Sequence, residues 1–544
     1  MDNESKNTYL KVASYEGKKG EVKKVVLLYS GGLDTSTMIK WIQDVYKAEV
    51  IALTIDIGQQ ADDLEEVRKK ALMLGAVKAI VIDAKEEFAN DYITKGIKAN
   101  GMYQGKYYLA TPIGRPLLAK WAVRIAAQEG ADAIAHGCTG KGNDQIRIEG
   151  SALALNPDIK ILAPVREWGM GRDEEIEYAK KHGVPVTQTI DKPYSYDDNM
   201  WGVSGEGGEI ENPALIPPLS KILQVCKTPE EAPDKAEFVT IDFAKGIPVA
   251  VNDKQMKLTE LIPLLNEKGA KHGVGVSIII EDKVIGIKSR DVYEAPAADI
   301  IITAHKVLEG FTATARENEF KAIVDQKWGY LCYGAMWFDP IMDNLNAYID
   351  KQNDKVSGKV TVKLYKGVVE VHAVETPNSI FDEKLATYMK SSSFNQNASA
   401  GFIEHYTLQM KLSQRRQRTV LLAIGGRDKK LKLLPEVKQL HQLGYQMYAT
   451  YKTHKFLLSN GFESILVNKI SSPELKPNLA DLLDANRFDI VINIPTDTDR
   501  EETVEKEKTD GQIIREKAVS TNTPLITSTS VVKEVVAKLA KAKI

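Results

Sequence analysis

The sequence predicts an α/β protein, with parallel sheets at both ends of the chain and a less regular α+β region between them. Three observations carry this. Strand-like and helix-like runs alternate over residues 23–190. A glycine- and hydroxyl-rich turn, Ser30-Gly31-Gly32-Leu33-Asp34-Thr35-Ser36, directly follows the first apolar run. The same alternation returns, more regularly, over 418–544. Alternation of this kind implies parallel strands joined by helices that cover both faces of the sheet.

In order, Lys24-Val25-Val26-Leu27-Leu28-Tyr29 is apolar and β-branched, as a strand buried on both faces must be. Met38, Ile39, Trp41, Ile42 and Val45 then fall at helical spacing. Strands are predicted at 50–55, 79–82 and 133–135, with helices marked by Leu64, Val67, Ala71 and Leu74, by Phe88, Tyr92 and Ile93, and by Leu117, Leu118, Trp121, Ala122 and Ile125. In the middle region, 191–395, Pro193 to Gly205 reads by composition as a surface connection. Val276–Ile280 and Val284–Ile287 read as a hairpin around Glu281-Asp282-Lys283. Residues 396–417, with Phe402, Ile403, Tyr406 and Met410, read as a partly helical tail or linker. From 418 the strands are 420–424, 446–450, 465–467, 490–494 and 525–527, with a last helix from Val531 whose lysines form a solvated face.

Length and composition bound the function. At 544 residues the chain holds about three domains. A net charge of −2 offers no polyanion-binding surface, so nucleic acid is not an expected partner. Cys138, Cys226 and Cys332 form no C-x-x-C, so neither a zinc site nor a disulfide framework is expected, and a reducing, cytoplasmic location fits. No apolar run reaches membrane-spanning length and no signal peptide is evident, so no membrane association is expected. Residues 1–22 are polar and read as a loosely ordered extension.

The turn at 30–36 carries the chemistry. Its glycines let the backbone bend and approach a ligand. Its hydroxyls and the first N–H groups of the following helix converge on the positive end of the helix dipole. That is a receptor for a phosphate chain. No G-x-x-x-x-G-K-[ST] occurs, and Gly137-Cys138-Thr139-Gly140-Lys141 has the wrong spacing for one. The motif instead resembles the pyrophosphate loop of ATP pyrophosphatases, which implies cleavage between the α and β phosphates. A second strand end is rich in donors: His136 to Arg147 contains three glycines, a hydroxyl, a lysine, an amide, a carboxylate and an arginine. By chemistry alone Lys141 and the glycine N–H groups suit phosphate oxygens, and Arg147 suits a carboxylate. His136 is a candidate base, although a histidine at a strand end more often only holds structure. No catalytic residue or resident metal ligand is assigned.

Ser30–Ser36, His136–Arg147 and Lys271-His272-Gly273-Val274-Gly275 together resemble the argininosuccinate synthase family, over about residues 23–415. The resemblance implies an ATP-pyrophosphatase-like nucleotide-binding domain (23–190), a synthetase domain that binds amino acids (191–395) and a tail (396–417) that packs on a neighbouring subunit of a homotetramer. It implies condensation of citrulline and aspartate at the expense of Mg-ATP. ATP would meet Leu28, Tyr29, Ser30, Gly31, Gly32, Leu33, Asp34, Thr35, Ser36, Ile55 and Gly137. Aspartate would meet Thr139, Asn143 and Asp144. Citrulline would meet Tyr107, Asn143, Arg147, Ser195, Ser204, Glu281 and Tyr293. Pro112 stands where the family usually has serine, and it has neither hydroxyl nor N–H; Thr111 is the available substitute.

Residues 418–544 resemble the methylglyoxal-synthase-like domain found at the regulatory end of carbamoyl phosphate synthetase. The resembling residues are Ala449–Thr453, Val467-Asn468-Lys469, Val491-Ile492-Asn493 and Thr509–Arg515. Lys429, Thr450, Thr453, Lys469 and Asn493 fall where that family holds a phosphate-bearing effector. Ala423 and Pro495 replace hydroxyl residues, and Ser471–Asn478 stands in place of the catalytic loop. Ligand sensing is therefore expected in preference to catalysis. Two alternatives compete for the whole chain. A thiolating or amidating ATP pyrophosphatase would need reactive cysteines that this chain lacks. A regulatory binding protein with an impaired synthetase half rests on Pro112 alone.

Overall fold

The computed structural model describes residues 9–60, 63–185, 193–415, 418–470, 472, 474–496 and 508–541. The chain divides into two compact units, Met1–Ala386 and Thr387–Ile544.

The first unit opens with β1 (Lys24–Leu28), β2 (Glu49–Asp56), β3 (Lys78–Asp83), β4 (Ala133–Ala135) and β5 (Lys160–Leu162). All pair in parallel, in the order β3-β2-β1-β4-β5. Val25, Val26 and Leu27 are fully buried because both faces are covered. Val25 and Leu27 pack with Met38, Ile39 and Ile42 of the helix Leu33–Tyr46. Val26 packs with Leu117, Ala122 and Ile125 of the helix Ala110–Glu129. Strand order reverses at β1, so a crevice opens beyond its C-terminal end, between it and β4. The turn Ser30–Gly32 lies there.

The middle of the chain contributes β6 (Tyr194–Asn199), β7 (Gly202–Gly207), β8 (Glu237–Ala244), β9 (Ile247–Val251), β10 (Lys254–Gln255), β11 (Val276–Asp282), β12 (Lys288–Glu294), β13 (Gly358–Tyr365) and β14 (Val368–Glu375). They form two antiparallel sheets, β10-β9-β8-β13-β14 and β11-β12-β7-β6. The helices Leu258–Lys271 and Pro296–Thr312 bury Leu261, Ile262, Leu265, Ile300 and Ile301 in the same core.

Several expectations need correction. Residues 194–207 are a hairpin, not a surface connection. Its turn residues Met200 and Trp201 are buried, and ladder bonds to β12 hold a sequence with little strand character. The hairpin at 276–294 turns at 283–287, later than the apolar pattern suggests. Gly286 sits at φ +93°, Lys283 N–H bonds the Ile287 carbonyl, and Val284 and Ile287 are half exposed instead of lying in a strand. Phe88–Ile93 is a π-helical segment. Residues 9–22, expected to be loose, are docked: Glu16 pairs in parallel with Ile161 of β5 and is itself buried. Residues 1–8 of that extension lie outside the described residues.

The second unit holds the tail helices Ala398–Tyr406 and Leu408–Arg415, then β15 (Thr419–Ile424), β16 (Gln446–Thr450), β17 (Ile465–Val467), β18 (Ile490–Ile494) and β19 (Leu525–Ile526). These pair in parallel in the order β17-β16-β15-β18-β19. One face packs on Val437, Leu440, Val532 and Val536, the other on Leu479, Leu483, Ile514 and Ala518. Of the segment replacing the catalytic loop, Ser471 and Pro473 lie outside the described residues.

Candidate active site and effector site

At the end of β1 the backbone bends through Gly31, at φ +82°. That conformation favours glycine, and a Cβ there would also crowd Val67 at 3.1 Å. Gly32 precedes the helix Leu33–Tyr46 with extended backbone and no side-chain cap. The hydroxyls are tied to one another. Ser30 Oγ lies 3.1 Å from Thr35 Oγ1, and Tyr29 OH lies 3.1 Å from Ser36 Oγ. Lys70 Nζ donates to the Gly31 carbonyl at 2.7 Å. The predicted partner segment is brought alongside: a Cβ on Gly137 would touch Met38 at 3.0 Å and Thr35 at 3.5 Å. Ile55 is buried at the end of β2, where Gln59 Nε2 already bonds its carbonyl at 3.0 Å.

His136 is not placed as a base. Its Nδ1 accepts the Cys138 N–H at 3.2 Å, so Nε2 carries the proton and donates to Glu149 Oε1 at 3.0 Å. Both nitrogens are engaged and the ring is buried. Burial pushes all three thiols, Cys138, Cys226 and Cys332, up, so none is poised as a nucleophile.

Beyond this loop the citrulline and aspartate candidates gather with residues that sequence reasoning missed. Asp144 accepts Arg115 Nε (2.9 Å) and Nη2 (2.7 Å) on one oxygen and Arg147 Nη1 (2.7 Å) on the other. Burial raises its pKa, but the two guanidiniums win and hold it at about 2. Arg115 also bonds Asp197. Arg147 donates Nε to the Tyr333 carbonyl at 3.0 Å and lies 4.8 Å over that ring. Its Nη2 is buried without a hydrogen-bond partner. Asn143 donates to Tyr333 OH at 2.8 Å and accepts the Val284 N–H at 2.9 Å. Thr139 stays exposed on the loop.

The sheet β11-β12-β7-β6 supplies the opposite wall. Register places Asp197, Ser204, Tyr293 and Ser277 in one row across four strands. Ser195 shares the Asp197 face of β6 but is exposed. Tyr107 stacks on Tyr293 with ring centroids 3.9 Å apart and takes the Thr111 N–H at 3.1 Å. Tyr293 OH donates to Glu281 at 3.0 Å. Burial, then the neighbouring Asp291 charge, pushes Glu281 up to about 7. Glu206 is raised by burial despite Lys283, 3.7 Å away. Asp144, Asp197, Glu206, Glu281 and Asp291 thus face Arg115, Arg147 and Lys283. Acid is in excess, which suits a ligand bringing an ammonium, while the open Arg147 N–H suits its carboxylate.

Pro112 is buried in the first turn of Ala110–Glu129, where an N–H has no helical partner to lose. Thr111 Oγ1 lies 3.4 Å from Ser204 Oγ, so a hydroxyl is available beside it. Tyr333 had no local signal, since it closes a helix 186 residues beyond Arg147. Arg115 shows as a charge beside an apolar helical run, while Asp197 lies in the segment read as a surface connection; only the fold brings both to Asp144.

In the second unit, Thr453 is buried at the end of β15, its hydroxyl accepting the Ile424 N–H at 3.1 Å. Asn493 takes Arg515 Nη1 at 2.9 Å, and Lys429 Nζ reaches the Pro495 carbonyl at 2.9 Å. Burial and the nearby Lys452 lower Lys430. Thr450 precedes the helix Tyr451–Ser459 without capping it. Lys469 pairs with Asp510 at 3.3 Å. Lys429, Thr453 and Asn493 therefore converge on the ends of β15 and β18; Lys469 faces the helix Asp510–Ser520.

Comparison with known proteins accords with this geometry. Residues 24–185 match the family model "Arginosuccinate synthase N-terminal HUP domain" and 194–413 match "Arginosuccinate synthase C-terminal domain". Residues 432–527 match "MGS-like domain". The argininosuccinate synthase of Pyrococcus furiosus is 50% identical over 390 residues, covering 72% of this chain and 94% of that protein. Those of Oceanobacillus iheyensis (48%, covering 71% and 92%) and Symbiobacterium thermophilum (46%, covering 72% and 97%) are similar over the same span. The glycine turn, the Asp144 arginine pair and these matches give one conclusion: the chain belongs to the argininosuccinate synthase family of ATP-using ligases and carries an MGS-like domain after the synthetase domain.

Proposed function

We propose that the first unit joins citrulline and aspartate through a citrullyl-adenylate. The citrulline ureido oxygen attacks the α phosphorus of ATP, that oxygen–phosphorus bond forms, and pyrophosphate leaves. The aspartate amine, after losing a proton, then attacks the ureido carbon; the carbon–oxygen bond breaks and AMP departs with the former ureido oxygen. A urea carbon is a poor electrophile, and adenylation makes its oxygen a leaving group. Catalysis is mainly positioning and charge stabilisation. Leu28–Ser36 with Gly137 would hold the β and γ phosphates, and magnesium arrives with ATP. Arg147 would take the citrulline carboxylate, and Glu281 with the serines its ammonium. Thr139, Asn143 and Asp144 would take aspartate.

The observation that supports this reading is the approach of Gly137 to Thr35, close enough that a Cβ on Gly137 would lie 3.5 Å from the Thr35 methyl. Citrulline labelled with oxygen-18 in the ureido group tests it: the label must appear in AMP, and unlabelled AMP overturns the adenylate route. The second unit is proposed to bind a phosphate-bearing effector at Lys429, Thr450, Thr453, Lys469 and Asn493. A cytoplasmic homotetramer is also proposed. The exposed Phe402, Ile403, Tyr406 and Met410 of the tail favour burial against another subunit.

A further inference from the structure

Tyr333 belongs to none of the ligand sets proposed above, yet it touches two residues that do. It is the last residue of the helix Ala315–Tyr333, and that helix is tightly seated. A Cβ on Gly329 would overlap the Met102 carbonyl, and Trp328 Nε1 donates to Asn346 Oδ1 at 2.9 Å. Tyr103 stacks on the Tyr333 ring with centroids 3.5 Å apart, and Tyr107 lies edge-on to the same ring at 6.4 Å. Tyr103 is itself held, its hydroxyl donating to the Asp282 carbonyl at 2.8 Å. The Tyr333 ring is buried, and it cannot turn away without breaking these contacts.

The Tyr333 hydroxyl decides which way the Asn143 amide faces. The Val284 N–H can only donate, so the atom 2.9 Å from it is Asn143 Oδ1. Nδ2 then points at Tyr333 OH, 2.8 Å away, and donates to it. The amide nitrogen has a second N–H, and no bond to protein uses it among the described residues. The backbone of Tyr333 fixes Arg147. The last four carbonyls of a helix have no intrahelical partner, and cations are favoured there. The Tyr333 carbonyl takes Arg147 Nε at 3.0 Å, and the guanidinium lies 4.8 Å over the Tyr333 ring. Asp144 takes Nη1 at 2.7 Å. With these two nitrogens of the fork engaged, Nη2 is the donor left over, buried and without a hydrogen-bond partner among the described residues.

We infer that Tyr333 is a positioning residue for amino-acid recognition. Its hydroxyl orients Asn143 and its ring and carbonyl orient Arg147, so that each presents an open N–H to a substrate carboxylate. The inference rests on the reading above for which amino acid each group meets: Arg147 the citrulline carboxylate, and Asn143 both citrulline and aspartate. Among the described residues the hydrogen bonds and ring contacts of Tyr333 reach Asn143, Arg147, Tyr103 and Tyr107 and stop short of the phosphate turn. ATP should therefore be indifferent to it.

The test is steady-state kinetics of the full chain with Tyr333→Phe, Asn143→Ala, the two together, and Tyr333→Leu. Tyr333→Phe keeps the stack, the ring beneath Arg147 and the carbonyl, and deletes only the bond to Asn143. KM for citrulline and for aspartate should each rise about fivefold, one hydrogen bond's worth, with KM for ATP unchanged. In the Asn143→Ala background Tyr333→Phe should leave kcat/KM for both amino acids where it was, because the group it positions is gone. Tyr333→Leu removes the ring as well. Citrulline KM should then rise by a further factor of about five as Arg147 loosens, and aspartate KM by less. A silent Tyr333→Phe overturns the inference, and so does an equal loss for all three substrates, which is what a merely structural role gives. Losses that simply add in the double variant overturn the coupling through Asn143 while leaving the ligand assignments standing. If Asn143→Ala alone leaves both amino-acid KM values untouched, the ligand assignment fails first, and the role of Tyr333 falls with it.

Discussion

The first and last domains share one topology and put it to different ends. Each is a five-stranded parallel sheet whose strands follow the order third, second, first, fourth, fifth, and each opens a crevice beyond its central strand. After β1 the chain makes a tight Gly31 bend into a 14-residue helix with no basic residue in its last turn. After β15 it passes Gly425 and Gly426 into a 6-residue helix carrying Arg427, Lys429, Lys430 and Lys432. The first crevice is shaped by backbone and borrows its charges: Arg115 and Arg147 come from later helices, Tyr333 from the end of Ala315–Tyr333, Glu281 and Asp291 from β11 and β12. The last crevice carries its cations on its own helix. Shared topology therefore fixes where a ligand lies. What crosses the crevice decides whether chemistry follows.

The sharpest break of that comparison is Arg147→Met. It leaves the half-buried Asp144 with Arg115 as its one remaining guanidinium partner among the described residues, and it removes the unpartnered donor. Losing a charge-assisted hydrogen bond to the citrulline carboxylate costs about 1.5–3 kcal/mol, so kcat/KM for citrulline should fall about 10- to 150-fold. The variant should still bind anions in its last domain. Steady-state kinetics beside a phosphate-dependent melting curve reads both halves. If citrulline turnover survives, the borrowed charges do not make the difference between the two crevices.

Next in size is the ligand effect on the last domain. Melting of the full chain in rising concentrations of nucleoside monophosphate should show stabilisation of the MGS-like domain by about 2.7 kcal/mol at a hundredfold excess over Kd. Lys429→Met should abolish most of it. A domain whose melting ignores every phosphate compound offered is a structural appendage, and the two crevices then differ in having any ligand at all.

How far these differences were legible follows from the range of the interactions involved. The central strands of both parallel sheets announce themselves because they are buried on both faces, and Ser30–Ser36 is contiguous, so its pattern shows in one glance at the chain. The three-residue β5 is too short for a pattern. The hairpin 194–207 escapes notice because hydrogen bonding to β12 supports it and its own side chains do little. The family resemblance names Ser204 and Tyr293, but the row they form with Asp197 is legible only in register: the three are neighbours across β6, β7 and β12 and strangers in sequence. The docking of 9–17 is invisible to composition, which sees polar residues and not the paired backbone along β5.

A smaller effect follows from Glu281. Burial and Asp291 raise it to about 7, so it gains its charge between pH 6 and 8. A citrulline ammonium binds the charged form better, and KM for citrulline should fall by up to about tenfold as pH rises through that window. Glu281→Gln should flatten the profile. The same shift has a stability sign. Between its unfolded value, near 4.5, and 7 the folded chain holds a proton that the unfolded chain has lost, so this group makes stability fall as pH rises through that interval. A flat wild-type profile would mean that the ammonium is held by the serines alone.

The smallest effect separates sequence departure from functional loss. Pro112→Ser restores the hydroxyl expected at that position, within a helix turn whose N–H groups are already without helical partners. Thr111 Oγ1 stands 3.4 Å from Ser204 Oγ, where it can take over that role. Citrulline KM should therefore change by less than about twofold in Pro112→Ser, within the half kilocalorie typical of a neutral substitution. Thr111→Val should raise it by about fivefold, one hydrogen bond's worth. A large gain from Pro112→Ser, with Thr111→Val silent, would mean that the proline impairs the first crevice, which would bring the two domains closer in kind: both binding, neither turning over at full rate.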